Sequence, residues 1–291
     1  ITFLKESLFP IVIKADNIAA GKGVYIAENF EEGLQAVNEI FDGKFGVAEN
    51  ILIEEFLEGE EMSFFILTDG ITIKEFDTAQ DHKRVFDGDK GKNTGGMGCY
   101  SPSRLINDEL RKKIINQIIN PTLKALKDLK ILYQGFLYAG LMIKDNNPYL
   151  IEYNVRMGDP ECQTILPKLK TDLIDIFLSS VNQRLNEINM KWDNKKSLCV
   201  VLCSNGYPDS FKKNIEIKNL SQLSLYANDY IFHAGTKNDN DKIYAIGGRV
   251  LNFVSLSDEF FISKKNVYSH IKKLNWENGF FRSDIGHRVL K

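Results

Sequence analysis

The sequence has 291 residues, 43% hydrophobic and 26% charged, with a formal net charge of −2 at pH 7. That length suits one large domain or two smaller ones, and the lack of a basic surplus argues against nucleic-acid partners. No apolar run is long enough to span a bilayer, which argues against a membrane protein. Ile1 to Pro10 carry no signal-peptide pattern, so a cytoplasmic location is expected.

Ile11-Val12-Ile13 reads as a short buried strand, followed by the small-residue stretch Ala19–Gly23 and a second strand, Val24–Ala27. Asn29 is placed to cap a helix, with Glu32 as its capping-box partner and Phe30, Leu34, Val37 and Phe41 as the apolar face. Ile51–Ile53 and Met62–Leu67 are further strands, and Asp69-Gly70 signals a hairpin to Ile71–Phe76. Residues 77–104 are polar, rich in Gly and Asn and without periodicity, which predicts a long functional loop.

Asn107 opens a helix with Leu110, Ile114 and Ile118 inward, bent or restarted at Pro121. Strands Phe136–Ile143 and Tyr149–Tyr153 are joined by the turn Asp145–Pro148, and a helix covers about Leu173 to Leu185. A composition shift near Trp192 places a domain boundary at about residue 190; short strands and one late helix, Ser257–Leu274, follow. Cys199 and Cys203 lie on one face of an apolar run, and with Cys99 and Cys162 they read as buried thiols in a reducing compartment.

Four segments suggest chemistry. Lys14 followed by Ala19-Ala20-Gly21-Lys22-Gly23 suits a polyphosphate, with backbone N–H groups and lysines facing oxygen; an ordinary Gly-rich hairpin is the alternative. It is not a Walker A loop, since Gly23 stands where Ser or Thr should follow Lys22. Glu54-Glu55-Phe56-Leu57 and the acids to Glu61 suit a purine pocket or a solvated acidic turn.

On the strand ending Glu152-Tyr153-Asn154, Glu152 and Asn154 project together and Tyr153 points the other way. Two oxygen donors at a strand end suit Mg²⁺, and Arg156 two residues on suits a phosphate or carboxylate; an exposed polar strand end is the alternative. Last, Asp81-His82-Lys83-Arg84 and Asn93-Thr94-Gly95-Gly96-Met97-Gly98 suit a second anionic substrate or a solvated loop. His82 has no neighbouring metal ligand.

Together these segments resemble the glycinamide ribonucleotide synthetase family. Val12–Asp16, Ala19–Val24, Ile53–Leu57, Gly59–Glu61, Ala79–Arg84, Asn93–Gly98, Gly135–Gly140, Arg156–Glu161, Phe232–Thr236, Gly247–Val250 and Asp284–Arg288 carry the likeness. Asn17 stands where that family usually has Gly, and Lys92 where it has Pro.

The resemblance implies an α/β (α+β) ATP-grasp fold. Residues 1–190 would be the ATP-grasp region, with 1–67 as a small lid closing over ATP, and 191–291 a small β-rich C-terminal domain. It implies ATP with Mg²⁺ (or Mn²⁺), glycine and 5-phosphoribosylamine as ligands, and a glycyl phosphate on the way to glycinamide ribonucleotide.

By the same resemblance Lys14, Gly21, Lys22, Gly23, Glu54, Glu55, Phe56, Leu57 and Glu61 would bind the nucleotide. Glu152 and Asn154 would hold metal, and Asp81, Lys83, Arg84, Asn93, Thr94, Gly95, Arg156, Gly158 and Asp159 would bind the other substrates. Lys14 and Arg156 would also serve catalysis. The family's N-terminal domain and an upstream ATP-contacting lysine are expected to lie outside this sequence. Another ATP-grasp carboxylate–amine ligase, or a nucleotide-binding fragment incomplete for catalysis, is the alternative.

Overall fold

A computed structural model describes residues 1–16 and 23–290. The chain forms two compact units, residues 1–59 with 93–95, and residues 60–92 with 96–291.

In the first unit, Ile11–Ala15 is the centre of a three-stranded antiparallel sheet, between Val24–Ala27 and Ile51–Glu55. Helix Phe30–Phe41 packs on it around Leu4, Ile11, Ile13, Ala27, Ala36 and Ile40. Asn29 caps that helix, accepting from the Glu32 N–H at 2.9 Å, while Glu32 returns a carboxylate to the N–H of Glu28 at 3.0 Å. The buried stripe is Gly33, Ala36 and Ile40, displaced from the expected one, and Phe41 is half exposed. Small residues let the helix sit close to the sheet, so the larger apolar side chains are pushed to its flanks.

The second unit contains a four-stranded antiparallel sheet, in the order Asn147–Asn154, Gly135–Lys144, Glu60–Thr68, Ile73–Glu75. Strand Glu60–Thr68 is buried on both faces. Met62, Phe64 and Ile66 meet Leu110, Ile114 and Ile118, while Phe65 and Leu67 meet Phe76, Ile165 and Ile176. The Asp69-Gly70 turn forms as expected, with Gly70 at φ +88° and the Asp69 carboxylate accepting from the N–H groups of Ile71 and Thr72. The strand after it is shorter than expected, Ile73–Glu75.

Asp145 and Asn146, at φ 50° and 57°, make the tight turn before Asn147–Asn154. The helix opened by Asn107 runs as Asp108–Ile114, widens to a π-turn at Ile115–Ile119 and continues as Asn120–Asp128. The widened turn accommodates the N–H that Pro121 lacks.

Residues 77–104 overturn the loop expectation. They supply strands Gln80–Asp81, Arg84–Phe86, Lys90–Asn93 and Gly98–Ser101. Gln80–Asp81 and Gly98–Ser101 extend a six-stranded sheet whose other members are Lys196–Ser204, Arg249–Ser257, Asp229–His233 and Gly279–Phe280. Tyr100, Met97 and Val85 are buried in its core, with Leu198, Val200, Phe253 and Val254. A boundary near residue 190 is thus a proposal about chain segments; the sheet draws strands from both sides of it. Helix Phe260–Leu274 packs on this sheet and ends at Asn275, whose φ of 48° suits asparagine.

Candidate active site

In the first unit, Lys14 lies next to the end of its strand with Nζ 2.6 Å from Glu54 Oε2. The lysine side chain is 14% exposed and the glutamate 38%, so the pair lies at a partly open sheet surface. Gly23 accepts the N–H of Ala15 at 2.9 Å, holding the two strands together at the mouth of the expected phosphate loop. Gly21 and Lys22 lie outside the described residues. Glu55 is exposed, and Phe56 and Leu57 are half-buried just beyond the strand end. Asn93, Thr94 and Gly95 also belong to this unit.

In the second unit the strand register separates Glu152, Tyr153 and Asn154 as alternation requires. The Asn154 amide donates to Glu152 Oε1 at 3.3 Å, whereas the Tyr153 hydroxyl is turned to Thr122 at 2.6 Å. The pairing shifts register between Gly140 and Leu141 opposite this strand end, with Gly140 facing Glu152. A Cβ on Gly140 would lie 3.2 Å from Glu152 Cγ, so glycine leaves the carboxylate its place.

Glu152 shares a cavity of about 10 Å³, roughly one water in size, with Glu61, Ser63, Asp81, Lys83 and Tyr138. Lys83 forms an ion pair with Glu61. Burial opposes its charge, but Glu61, then Asp81 and Glu152, outweigh that and hold the ammonium above the ordinary lysine value. Burial, and then the Glu161 carboxylate, hold Asp81 well above the usual carboxylate range. Its Oδ1 is shut off from solvent without a hydrogen-bond partner among the described residues.

Two glycines make room for these acids. A Cβ on Gly96, at φ +112°, would meet Asp81 Oδ1 at 2.8 Å, and one on Gly158 would meet Glu161 Oε2 at 2.2 Å. Glu161 itself is 4% exposed and accepts from the hydroxyls of Ser63 and Tyr138 at 3.0 and 3.1 Å.

The structure therefore gathers Glu61, Asp81, Lys83 and Glu152 at one cavity, with Asn154 beside Glu152. Arg84 is not among the cavity's lining residues; its guanidinium donates to Gly91 O within its own hairpin, at 2.8 Å. Arg156 is exposed and donates to Met157 O at 3.0 Å. Asp159 is clamped by Arg249, which donates to its backbone carbonyl at 2.7 Å and its carboxylate at 2.9 Å.

Glu161 and Arg249 were not among the candidate site residues. The acid after Pro160 and the arginine after Gly247-Gly248 were visible signals, but nothing local in the sequence tells a buried acid from a solvated one. His82 is fully buried, accepts the N–H of Gly286 at Nε2 (2.8 Å) and stacks on His287. Burial, and then the nearby Arg282 and Arg288, pull its pKa down to about 3, so it is a neutral packing group at ordinary pH.

A lysine-bearing antiparallel sheet in one unit, and in the other a Glu-x-Asn strand end beside a half-buried lysine and acids, fit the class of ATP-grasp enzymes. Residues 1–162 match the model of the phosphoribosylglycinamide synthetase ATP-grasp (A) domain, and residues 197–288 that of its C domain. The chain belongs to the phosphoribosylglycinamide synthetase family.

It is 42% identical to phosphoribosylamine–glycine ligase of Brucella melitensis over 290 residues, covering 99% of this chain and 68% of that one. It is 44% identical to the chloroplastic phosphoribosylamine–glycine ligase of Arabidopsis thaliana over 295 residues, covering 99% of this chain but 56% of that one. The crystal structure of phosphoribosylamine–glycine ligase from Thermotoga maritima matches with a TM-score of 0.86 at 33% identity, over 98% of this chain and 71% of that one. The biotin carboxylase domain of Hydrogenobacter thermophilus 2-oxoglutarate carboxylase matches at 0.68 with 17% identity, over 93% of this chain and 58% of that one, a likeness of fold alone. Among the described residues, no helix is long and apolar enough to cross a membrane.

Proposed function

We propose that this chain carries the ATP-dependent joining of glycine to 5-phosphoribosylamine, giving glycinamide ribonucleotide, ADP and phosphate. A carboxylate is a poor electrophile until one of its oxygens becomes a leaving group. A glycine carboxylate oxygen attacks the γ-phosphorus of ATP and releases ADP. The amine of phosphoribosylamine then attacks the carbonyl carbon of glycyl phosphate, expels phosphate and loses a proton. Both steps concentrate negative charge on phosphoryl oxygens, so catalysis rests on placed cations and N–H donors.

Lys14 and Arg156 are the proposed cations, with Gly21, Lys22 and Gly23 as the phosphate loop and Glu54, Glu55, Phe56, Leu57 and Glu61 for adenosine. Asp81, Lys83, Arg84, Asn93, Thr94, Gly95, Gly158 and Asp159 are proposed for the other substrates.

Glu152 and Asn154 fit a divalent metal by donor chemistry: the two side chains lie side by side, the Asn154 amide nitrogen now on the Glu152 carboxylate, and together they carry a carboxylate and an amide oxygen. The described residues contain no group of three or more His, Cys, Asp or Glu that could hold a metal. Glu152 and Asn154 would supply only two donors to such an ion, so the metal is expected to arrive with the nucleotide. When bound it supplies neutralising charge at the phosphates. Mg²⁺ is the proposed ion, with Mn²⁺ as a substitute, and a cytoplasmic location suits the free cysteines.

The observation that carries this reading is Glu152 and Asn154 side by side at a strand end, with Asp81 and Lys83 on the cavity that Glu152 lines. The test is product formation from glycine, ATP and freshly generated phosphoribosylamine by the full-length protein. Glycinamide ribonucleotide with stoichiometric ADP is expected. ADP release that needs a different amine or amino acid would move the chain to another ATP-grasp ligase activity.

A further inference from the structure

Residues 282–288 are bonded to residues 82–89 at several points. Arg282 is 1% exposed, yet charged. Its Nε and Nη2 donate to the two carboxylate oxygens of Asp284, both at 2.7 Å. Its Nη1 donates to Asp89 Oδ1 at 2.8 Å and to the backbone carbonyl of Arg84 at 3.0 Å. Around it, the N–H of Gly88 donates to Asp284 Oδ2 at 2.8 Å, and Arg288 donates to Asp89 Oδ2 at 2.6 Å. The N–H of Gly286 holds the ring of His82, between Asp81 and Lys83.

A buried charge is a costly way to fill space, because an apolar side chain of similar volume packs as well without desolvation. What only a guanidinium does here is grip three acceptor groups, four oxygens in all, in fixed directions. One of them is the carbonyl immediately after Lys83, and Lys83 reaches the cavity shared with Glu152.

We propose that Arg282 is a positioning residue. With Asp89 and Asp284 it fixes the backbone of Asp81–Arg84, and so the placement of Asp81 and Lys83 toward the non-nucleotide substrates. The proposal rests on the ligase reading above. It does not make Arg282 a catalytic residue, since the side chain is buried and its bonds run to protein acceptors.

Arg282→Lys keeps the charge but cannot reach all three acceptors. Asp89→Asn removes the charge that Arg282 and Arg288 share and leaves the buried guanidinium its other partners, so it serves if Arg282→Lys does not fold. In the full-length protein, kcat/KM for glycine or phosphoribosylamine should fall about tenfold or more, as misplacement of reacting groups does. KM for ATP should stay within about twofold, and amide exchange over residues 84–92 should quicken. Folded variants with unchanged kcat/KM, or with KM for ATP rising in step, would overturn the proposal. Wild-type protein that makes no glycinamide ribonucleotide would instead sink the ligase reading, and the exchange rates would still decide whether the clamp exists.

Discussion

Glu152 and Asn154 differ from the residue between them in what they touch, and that difference can be measured. Tyr153 spends its hydroxyl on Thr122, away from the face shared by its neighbours. Glu152→Ala and Asn154→Ala should therefore raise the Mg²⁺ concentration needed for half-maximal activity, by about tenfold or more for the carboxylate. Tyr153→Phe should lower stability by about 1 kcal/mol with an unchanged Mg²⁺ requirement. A Mg²⁺ titration of the three variants checks this order.

His82 gives a second, pH-dependent outcome. Its folded pKa, about 3, lies below the ordinary histidine value. Between those two values the unfolded chain binds the extra proton, so stability rises with pH. It should be fully present above about pH 6.5 and fall by up to about 1.4 kcal/mol per pH unit below it. Chemical denaturation at several pH values, compared with His82→Gln, should show a shallower slope in the variant between about pH 4 and 6.

Alternation along a strand was enough to divide Glu152 and Asn154 from Tyr153, because that division is a local property of backbone geometry. The roles of Glu161 and Arg249 were not legible. Glu161 owes its burial to Ser63 and Tyr138, at sequence separations of 98 and 23, and Arg249 meets Asp159 across 90.

Elements whose signals are local form where the sequence predicts them. Asn29 and Asn107 cap the helices expected of them, and Asp145-Asn146 turns the expected hairpin. Asn107 Oδ1 accepts the N–H of Leu110 at 2.8 Å, so Asn107→Ala should cost about 1 kcal/mol in urea unfolding, and Asn107→Asp much less.

Strand Glu60–Thr68 carries more. Phe64 is wholly buried at the centre of the four-stranded sheet, and Phe64→Ala should cost about 3–5 kcal/mol by the same measurement. Gln80–Asp81 and Gly98–Ser101 escaped because nothing in them alternates. They are two and four residues long, and Gly98–Ser101 is buried along its whole length. Gly98 is held so closely that a Cβ there would lie 2.7 Å from the Cys199 carbonyl. Gly98–Ser101 exists because a partner strand, Lys196–Ser204, takes up its backbone groups from about a hundred residues away in sequence, and Gln80–Asp81 pairs in turn with Gly98–Ser101.

At the scale of the whole molecule, the regions matching the A and C domains share one sheet and one core. Separating them at residue 190 should leave Val85, Met97 and Tyr100 without Leu198, Val200 and Phe253. A fragment of residues 1–190 should bind a hydrophobic dye and lose exchange protection over 80–101, whereas the full-length protein protects that stretch. Equal protection in the fragment would show that these strands hold without their partners. The small sheet of residues 1–59 has its own core and should be unaffected.

The bond from Gly286 to His82 spans 204 residues. At synthesis rates of about 5–20 residues per second, the Asp81–Arg84 segment emerges from the ribosome about 10–40 s before its clamp is made. Until then the nascent chain holds an unclosed sheet edge and an unpaired arginine-binding loop. Its dependence on chaperones should peak in that interval, and ribosome pausing within 100–280 should lower yield more than pausing within the first fifty residues.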